Sequence, residues 1–323
     1  MYIFSCRRRC VLIYIATFLF VVTLIAHKIY VNTRVWTDEH WHQLRPVEGL
    51  INYRHNYIMP GVTGCTGSTR LFIMVFSRPE SISTRALIRT TWLNPDFIGS
   101  EANSVSYRFL LGGIHDETIL AAVKNESSQF GDIIIDTSFP DSYQLLVRKT
   151  ISMVDWVDTY CSSVMAVLKS DDDTWFNVEY LLKILPYLEP GIHGHVFRFA
   201  GVSRNPKDAW FIPSDLYPFG HYPDFTSGSG YLIVGRGTNI YSRLLATLST
   251  IRTVWMEDIF LTGLVAEKAK VPRFHHDGFN SIKYPTDDIC QYRKIISSHQ
   301  LDEDSLYYIY LSLTDSNLKC ATD

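Results

Sequence analysis

The chain has 323 residues, of which 46% are hydrophobic and 20% charged, and its formal net charge is -3 at pH 7. This composition excludes a wholly disordered or low-complexity protein, because it supplies enough apolar side chains for a large core. The slightly acidic balance argues against a protein that coats nucleic acid, so we expect no nucleic-acid partner.

The first predicted element is a membrane anchor. Residues 11–26 form an uncharged apolar run directly after the basic cluster Arg7–Arg9. A helix over this run is about 24 Å long, somewhat short of the roughly 30 Å hydrocarbon core of a bilayer. The basic cluster favours a cytosolic amino terminus. A cleaved signal peptide is the alternative, but the run is long and no small-residue cleavage site follows. We predict a cytosolic tail over 1–10 and an uncleaved signal anchor over 11–28.

The anchor is followed by a polar stretch without a periodic apolar pattern. We interpret residues 29–64 as a lumenal stem and residues 65–323 as a lumenal globular domain. The lumenal compartment is oxidising, so disulfides are expected there, and four cysteines allow three pairings. The triplet Asn125-Glu126-Ser127 is an acceptor sequence for N-glycosylation. The lumenal cysteines are Cys65, Cys161, Cys290 and Cys320.

Short apolar runs alternate with helical patterns through the first half of the domain. The alternation predicts an α/β fold with a mostly parallel sheet. Such a sheet binds its ligand at the carboxyl ends of its strands. The runs typical of buried strands are Leu71–Phe76, Tyr107–Leu111, Asp132–Ile135 and Val164–Leu168. The segments with helical spacing are Ser83–Trp92, Glu117–Phe130 and Ser142–Tyr160.

Three consecutive carboxylates, Asp171, Asp172 and Asp173, directly follow the fourth predicted strand. Adjacent negative charges repel each other, and a divalent cation relieves that repulsion. Oxygen ligands suit Mg²⁺ or Mn²⁺, which also neutralise the phosphates of a nucleotide. A solvated turn or a helix cap is the alternative interpretation. The apolar strand before the cluster and the bulky residues after it favour a metal site.

The segment Lys169–Asn177 (KSDDDTWFN) resembles the metal motif of the inverting β-1,3-glycosyltransferases, which include β-1,3-galactosyltransferases and β-1,3-N-acetylglucosaminyltransferases. Other segments resemble motifs of that family in the same order, over nearly all of residues 65–320. They are RALIRTTW at Arg85–Trp92, FLLG at Phe109–Gly112, Glu126 with FGDII at Phe130–Ile134, DSY at Asp141–Tyr143, YP and SGSGY within Tyr222–Tyr231, and EDIFLTG at Glu257–Gly263.

The resemblance implies a glycosyltransferase-A-like sandwich that binds a nucleotide sugar and is anchored in the Golgi membrane with a single-pass type II topology. It implies that Asp173 binds Mn²⁺ or Mg²⁺ directly and that His299 completes the metal site. His275 and His276 are the alternatives to His299. It also pairs the cysteines, namely Cys65 with Cys161 and Cys290 with Cys320.

Inversion at the sugar carbon needs a base that removes the acceptor proton during in-line attack. The resemblance places Asp258 in that role and Glu257 against the acceptor hydroxyls, although the two carboxylates could instead cap a helix that begins at Ile259. For Arg85 and Arg89, a salt bridge on a surface face is the alternative to donor binding. For Gly228 and Gly230, the alternative is a role in a turn. The residues expected to bind the donor are Arg85, Arg89, Lys149, Asp171, Asp172, Gly228 and Gly230.

These features predict a metal-dependent inverting hexosyltransferase. It would move a hexose, with galactose favoured over an N-acetylhexosamine, from a UDP-sugar to an acceptor glycan in a β-1,3 linkage. The acceptor would be carried by a glycoprotein or a glycolipid. A catalytically inactive lumenal glycan-binding homologue and a metal-dependent phosphoesterase are the alternative classes. The sequence leaves open the donor sugar, the acceptor and whether the protein forms a homodimer.

Overall fold

A computed structural model describes residues 15–23, 36–46, 54–59 and 64–320. Residues 15–23 are helical (α1), and Asp38–Gln43 form a short helix (α2). The search of these described ranges finds no helix with both the length and the apolar character needed to cross a membrane. The rest of the anchor predicted over 11–28, and the whole predicted tail, lie outside the described residues.

From Leu44 onward, the described residues form one compact unit built on a large mixed sheet. The strands are β1 Tyr57–Ile58, β2 Leu71–Phe76, β3 Val105–Gly113, β4 Ile133–Pro140, β5 Ala166–Asp171, β6 Trp175–Phe176, β7 Gly191–Phe197, β8 Phe225–Val234, β9 Arg273–His275 and β10 Ser297–Ser298. Their order in the sheet is β1-β4-β3-β2-β5-β8-β7-β9, and β6 pairs with β10 in a separate antiparallel ribbon. Strands β4, β3, β2 and β5 run parallel, whereas β8 is antiparallel to both β5 and β7.

Helices cover both faces of this sheet. On one face, Ile73 and Val75 of β2 share a buried cluster with Ile88, and on the other face Phe72 stacks on Trp156 with ring centroids 5.0 Å apart. The helices are α3 Ile82–Thr90, α4 Pro95–Ile98, α5 Glu117–Phe130, α6 Leu146–Tyr160, α7 Val178–Ile184, α8 Ile240–Leu248, a π-helix Ile259–Val265, α9 Ala266–Lys268 and α10 Glu303–Thr314. Short 3₁₀ turns occupy Ala102–Ser104, Tyr143–Leu145, Leu185–Tyr187 and Ile289–Arg293.

The predicted α/β fold with a sheet rich in parallel strands is confirmed. The bounds of β2 and α5 agree with those predicted from the apolar pattern. Strand β8 is longer than its apolar run, because it begins with the small residues of FTSGSG, which give no strand pattern although most of them are buried. The helix predicted from Ile259 starts as a π-helix, a local form that is frequent at functional sites.

Residues assigned to the stem contribute to the sheet. Tyr57 and Ile58 pair with Asp136 and Ile135 of β4 as an edge strand. His55 Nδ1 lies 2.6 Å from Asp136 Oδ2, and both side chains are buried. This contact ties part of the predicted stem, 29–64, to the domain.

The two cysteine pairs implied by the resemblance are at bonding distance. Cys65 and Cys161 have an S–S distance of 1.99 Å, and Cys290 and Cys320 have one of 2.02 Å. The first pair links the start of the domain to the end of α6, and the second links the last segment of the described chain to the 3₁₀ turn at Ile289–Arg293.

Candidate functional site

The acidic cluster lies at the carboxyl edge of the parallel strands. Asp171 is the last residue of β5 and pairs with Phe76, the last residue of β2. Ser77 follows β2 and donates a hydrogen bond of 2.9 Å to the carboxylate of Asp172. This is the edge at which α/β sheets bind their ligands.

Asp171, Asp173 and His299 form a group of metal-ligand type. One ligand atom from each residue lies within 4.8 Å of those of the other two. His299 reaches this place because β10, which ends one residue earlier, pairs with β6 directly after the acidic cluster. His299 Nε2 lies 3.3 Å from Asp173 Oδ1, and its Nδ1 lies 3.2 Å from the carbonyl oxygen of Ser281. Two carboxylates and an imidazole oriented by a carbonyl fit a divalent cation.

The alternative histidines lie apart from this group. His275 Nε2 is 3.0 Å from Asp277 Oδ1, and its Nδ1 accepts a hydrogen bond from the backbone of Val196. His276 Nδ1 accepts a hydrogen bond of 3.0 Å from the N–H of Gly278. Within the described part of the chain, the ligand-type cluster includes His299 and neither of these residues.

The ionisation of the two carboxylates in this group differs. Burial raises the pKa of Asp171 to about 6, and the charge of Asp173 adds to the rise, while Lys169 opposes it. Burial also acts to raise the pKa of Asp173, but the hydrogen bond with His299 and the charges of His299 and Lys169 together outweigh burial and lower that pKa. The same hydrogen bond raises the pKa of His299 against the effect of burial. The group therefore carries closely spaced charge that a cation would neutralise.

A buried lysine connects the metal-type group to Glu257. Lys169 Nζ lies 2.6 Å from Asp171 Oδ1 and 3.1 Å from Glu257 Oε1, and it also donates to the carbonyl oxygen of Gly228. Burial alone would lower the pKa of Lys169, but the two carboxylates outweigh burial and raise it. The other oxygen of Glu257 accepts hydrogen bonds from the hydroxyls of Thr150 and Tyr231.

Asp258 is half-buried beside Glu257, and its two oxygens have different partners. Oδ2 accepts a hydrogen bond of 3.2 Å from the N–H of Gly228, and Oδ1 accepts one of 2.8 Å from the N–H of Ile259. Burial and the charge of Glu257 raise the pKa of Asp258 to about 7. A carboxylate fixed in this way, with a pKa near neutrality, has the properties of a general base.

The two glycines of the SGSGY segment permit close packing at the site. A Cβ on Gly228 would lie 2.9 Å from Glu257 Oε1 and 3.4 Å from Asp258. A Cβ on Gly230 would collide with the ring of Phe176, which follows the acidic cluster. Gly228 therefore allows the backbone to reach the carboxylate pair, and Gly230 allows β8 to pack against Phe176 after the acidic cluster.

The arginines predicted to bind the donor are paired with carboxylates inside the protein. Every nitrogen of the buried Arg85 guanidinium donates to a protein acceptor, including Glu126 at 2.7 Å and the backbone oxygens of Arg78 and Pro79. Arg89 forms two hydrogen bonds of 2.8 Å with Asp132. These contacts favour the salt-bridge alternative, in which the arginines shape the segment after β2.

Lys149 is also neutralised within the protein. Its Nζ lies 2.7 Å from Asp141 Oδ2 and donates a hydrogen bond of 2.6 Å to the carbonyl oxygen of Ser77. Burial lowers its pKa, which the charge of Asp141 only partly restores. Lys149 thus supports Ser77, which donates a hydrogen bond to Asp172.

The side chain of Asn125, in the predicted N-glycosylation triplet, is exposed on α5.

Glu126, Asp132 and Asp141 lie in the motif segments of the sequence, but no role was predicted for them. The structure shows that they pair with the buried side chains of Arg85, Arg89 and Lys149. A signal was available, because Glu126 lies beside the apolar Val123 on the buried face of α5, and a carboxylate on such a face requires a charged or hydrogen-bonding partner.

Comparison with known proteins gives one family. The galactosyltransferase family model matches residues 83–277. Beta-1,3-galactosyltransferase 1 of Mus musculus is 32% identical over 260 residues, which cover 77% of this chain and 76% of that protein. N-acetyllactosaminide beta-1,3-N-acetylglucosaminyltransferase 4 of Homo sapiens is 31% identical over 284 residues, which cover 84% of this chain and 73% of that protein. Among solved structures, a glycosyltransferase involved in the glycosylation of the major capsid of PBCV-1 aligns with a TM-score of 0.39 and 11% identity, over 75% of this chain and 98% of that one.

Proposed function

Because this chain belongs to the galactosyltransferase family and is a glycosyltransferase, we propose that it moves a hexose from a UDP-sugar to a glycan hydroxyl in a β-1,3 linkage. Galactose is the donor sugar that we favour. The observation that carries the proposal is the position of Lys169, which contacts both Asp171 of the metal-type group and Glu257 beside Asp258. One ammonium group thus joins a donor side and an acceptor side in a single site.

On the donor side, Asp171, Asp173 and His299 would hold Mn²⁺ or Mg²⁺. When bound, the cation supplies positive charge to the diphosphate as it departs. Asp172, which accepts a hydrogen bond from Ser77 and is not one of the three ligand-type residues, would contact the ribose or the sugar. Asp171 would exchange part of its contact with Lys169 for the cation, and Lys169 would retain Glu257.

On the acceptor side, Asp258 accepts the proton of the attacking hydroxyl. The hydroxyl oxygen forms the new bond to the anomeric carbon, the bond from that carbon to the diphosphate oxygen breaks, and UDP leaves with the electron pair. Attack on the face opposite the leaving group inverts the anomeric carbon. The N–H groups of Gly228 and Ile259 fix the carboxylate of Asp258, and a positioned base contributes about 10²–10⁴ in rate.

A panel of UDP-sugars with Mn²⁺ and an array of acceptor glycans, read by mass spectrometry, tests the proposal. We expect UDP release together with a glycan that has gained one hexose. The variant Asp173→Ala should lose this activity, whereas Glu179→Ala, an exposed acidic residue on α7, should retain it. Glycan binding without UDP release would favour the inactive homologue, and phosphate-ester hydrolysis without any acceptor would favour the phosphoesterase.

We also propose that residues 11–28 anchor the enzyme in the Golgi membrane with the domain in the lumen. The basic cluster before the apolar run and the two cysteine pairs at bonding distance support this placement. In sealed microsomes, the domain should resist protease until detergent is added, and glycosidase treatment should remove an N-glycan from the wild type but not from Asn125→Gln. Cleavage of the domain without detergent would contradict the lumenal placement.

A further inference from the structure

A long connection starts at the edge of the sheet that carries the candidate site. Residues 198–224, which join β7 to β8, contain neither a helix nor a strand in the described chain. Strands β5 and β7 are both antiparallel to β8, so the carboxyl end of β7 lies at the same edge of the sheet as Asp171. Connections of this length without secondary structure are uncommon in compact domains and are usually either functional loops, such as lids and binding loops, or disordered segments.

This connection is held in one shape by its own contacts. The guanidinium of Arg204 donates to the carbonyl oxygens of Ile212 at 2.6 Å, Tyr217 at 2.5 Å and Phe219 at 2.8 Å. Ile212 and Tyr217 are fully buried. A loop braced in this way presents its exposed side chains in a fixed geometry, which lowers the entropic cost of binding a ligand.

Trp210 is the large hydrophobic side chain that this loop exposes, with 56% of it accessible to solvent. Its ring lies nearly parallel to that of Trp255, with an interplanar angle of 3° and centroids 6.4 Å apart. Trp255 is fixed by a hydrogen bond of 3.2 Å from its indole N–H to the carbonyl oxygen of Phe211. Trp255 precedes Asp258 by only three positions in the chain, so the pair of indoles lies on the segment that leads into the proposed base.

We propose that Trp210, supported by Trp255, binds a sugar ring of the acceptor glycan beyond the sugar that receives the hexose. This inference rests on the proposed function and identifies a subsite of the same reaction. A pyranose ring has one face of C–H groups, which packs against an indole, and hydroxyls around its edge, which remain in water or contact polar neighbours.

The surroundings of Trp210 favour a sugar over a protein partner. Of the exposed residues just before Trp210, Asn205, Lys207 and Asp208 are polar, and the apolar Pro206 and Ala209 are small, so the apolar patch is small. A stable protein interface needs about 800 Å² from each partner, with an apolar centre. One indole face with a polar border matches the size of a single sugar ring.

The test uses the glycan that the wild type glycosylates best on the array, as its methyl glycoside, and the methyl glycoside of its terminal monosaccharide. In Trp210→Ala we expect the kcat/KM for the oligosaccharide to fall about tenfold, mainly through a higher KM. The kcat/KM for the monosaccharide, the affinity for UDP and the rate of donor hydrolysis should stay within about twofold of the wild type. Trp210→Phe should restore most of the loss.

Tyr187→Ala is the matched control, because Tyr187 is 85% exposed and precedes β7 at the opposite edge of the sheet. It should leave both acceptors unaffected. Equal losses for the two acceptors in Trp210→Ala, or no loss for the oligosaccharide, would overturn the inference while the proposed function stands. Absence of transfer to every glycan on the array would overturn the proposed function and this subsite with it.

Discussion

Lys169 forms a buried ion pair with Glu257, with 3.1 Å between Nζ and Oε1. The same ammonium lies 2.6 Å from Asp171. Without Lys169, the buried carboxylate of Glu257 and the half-buried carboxylate of Asp171 would both lose the charge that compensates them. The lysine therefore determines whether the two halves of the proposed site can coexist in one folded domain.

Replacement of this lysine should destabilise the domain. For Lys169→Met we expect the free energy of unfolding to fall by about 3–5 kcal/mol, because an uncompensated buried charge remains. Mn²⁺ should raise the melting temperature of Lys169→Met by more than that of the wild type, since the cation no longer competes with the ammonium for Asp171. Thermal unfolding with and without Mn²⁺ measures both effects. A variant as stable as the wild type would contradict the structural role of Lys169.

Loss of His299 should weaken cation-dependent nucleotide binding. We expect His299→Ala to reduce the affinity for UDP in the presence of Mn²⁺ by about tenfold or more, because one of the three ligand-type side chains is removed. His275→Ala is the control, since His275 pairs with Asp277 away from the group. Calorimetry with UDP and Mn²⁺ measures the affinities. The assignment would fail if His275→Ala lost affinity and His299→Ala did not.

The raised pKa of Asp258 predicts a pH-dependent stability. Folding raises the pKa of this carboxyl from its ordinary 3.8 to about 7, so the folded state favours the protonated form. Its contribution to stability is therefore complete below about pH 4 and is lost as the pH rises to about 7. Asp258→Asn removes this dependence. Urea unfolding at pH 5 and pH 8 should show that the wild type loses stability relative to Asp258→Asn at the higher pH. A constant difference between the two proteins would show that this pKa is not raised.

Arg85 should affect stability more than donor binding. Arg85→Lys keeps the positive charge but cannot reproduce the forked contact with Glu126 and the backbone oxygens of residues 78 and 79. We expect a loss of about 1–3 kcal/mol in unfolding free energy, with UDP affinity within about twofold of the wild type. Urea unfolding and calorimetry separate the two quantities. Unchanged stability together with a large loss of UDP affinity would contradict this role and support a direct contact between Arg85 and the donor.

The local sequence pattern predicted those strands and helices whose apolar residues form a continuous run or recur at helical spacing. Strand β2 is buried at every residue, and α5 has a capping aspartate and a terminal glycine, so their bounds followed from the sequence. The start of β8 could not be predicted in this way. Its small residues lie in the sheet because Gly228 and Gly230 must approach Glu257 and Phe176, which are distant in the chain.

The same distinction applies to the site. The motif resemblance pointed to Asp173, His299 and Asp258 as one site, because motif order preserves relations that span the chain. It did not reveal that Arg85 and Arg89 are satisfied by Glu126 and Asp132. A cation in a sequence looks the same whether it faces a ligand or a buried carboxylate, and only the tertiary contact separates the two.

The proposed transfer mechanism depends most directly on Asp258 as the base. In Asp258→Asn, calorimetry should give a UDP affinity in the presence of Mn²⁺ that is close to that of the wild type. Hexose transfer to the best acceptor should fall by about 10²–10⁴. In the wild type, kcat/KM should decrease below about pH 7, where the carboxylate becomes protonated. Transfer by Asp258→Asn at a rate comparable to the wild type would contradict the mechanism.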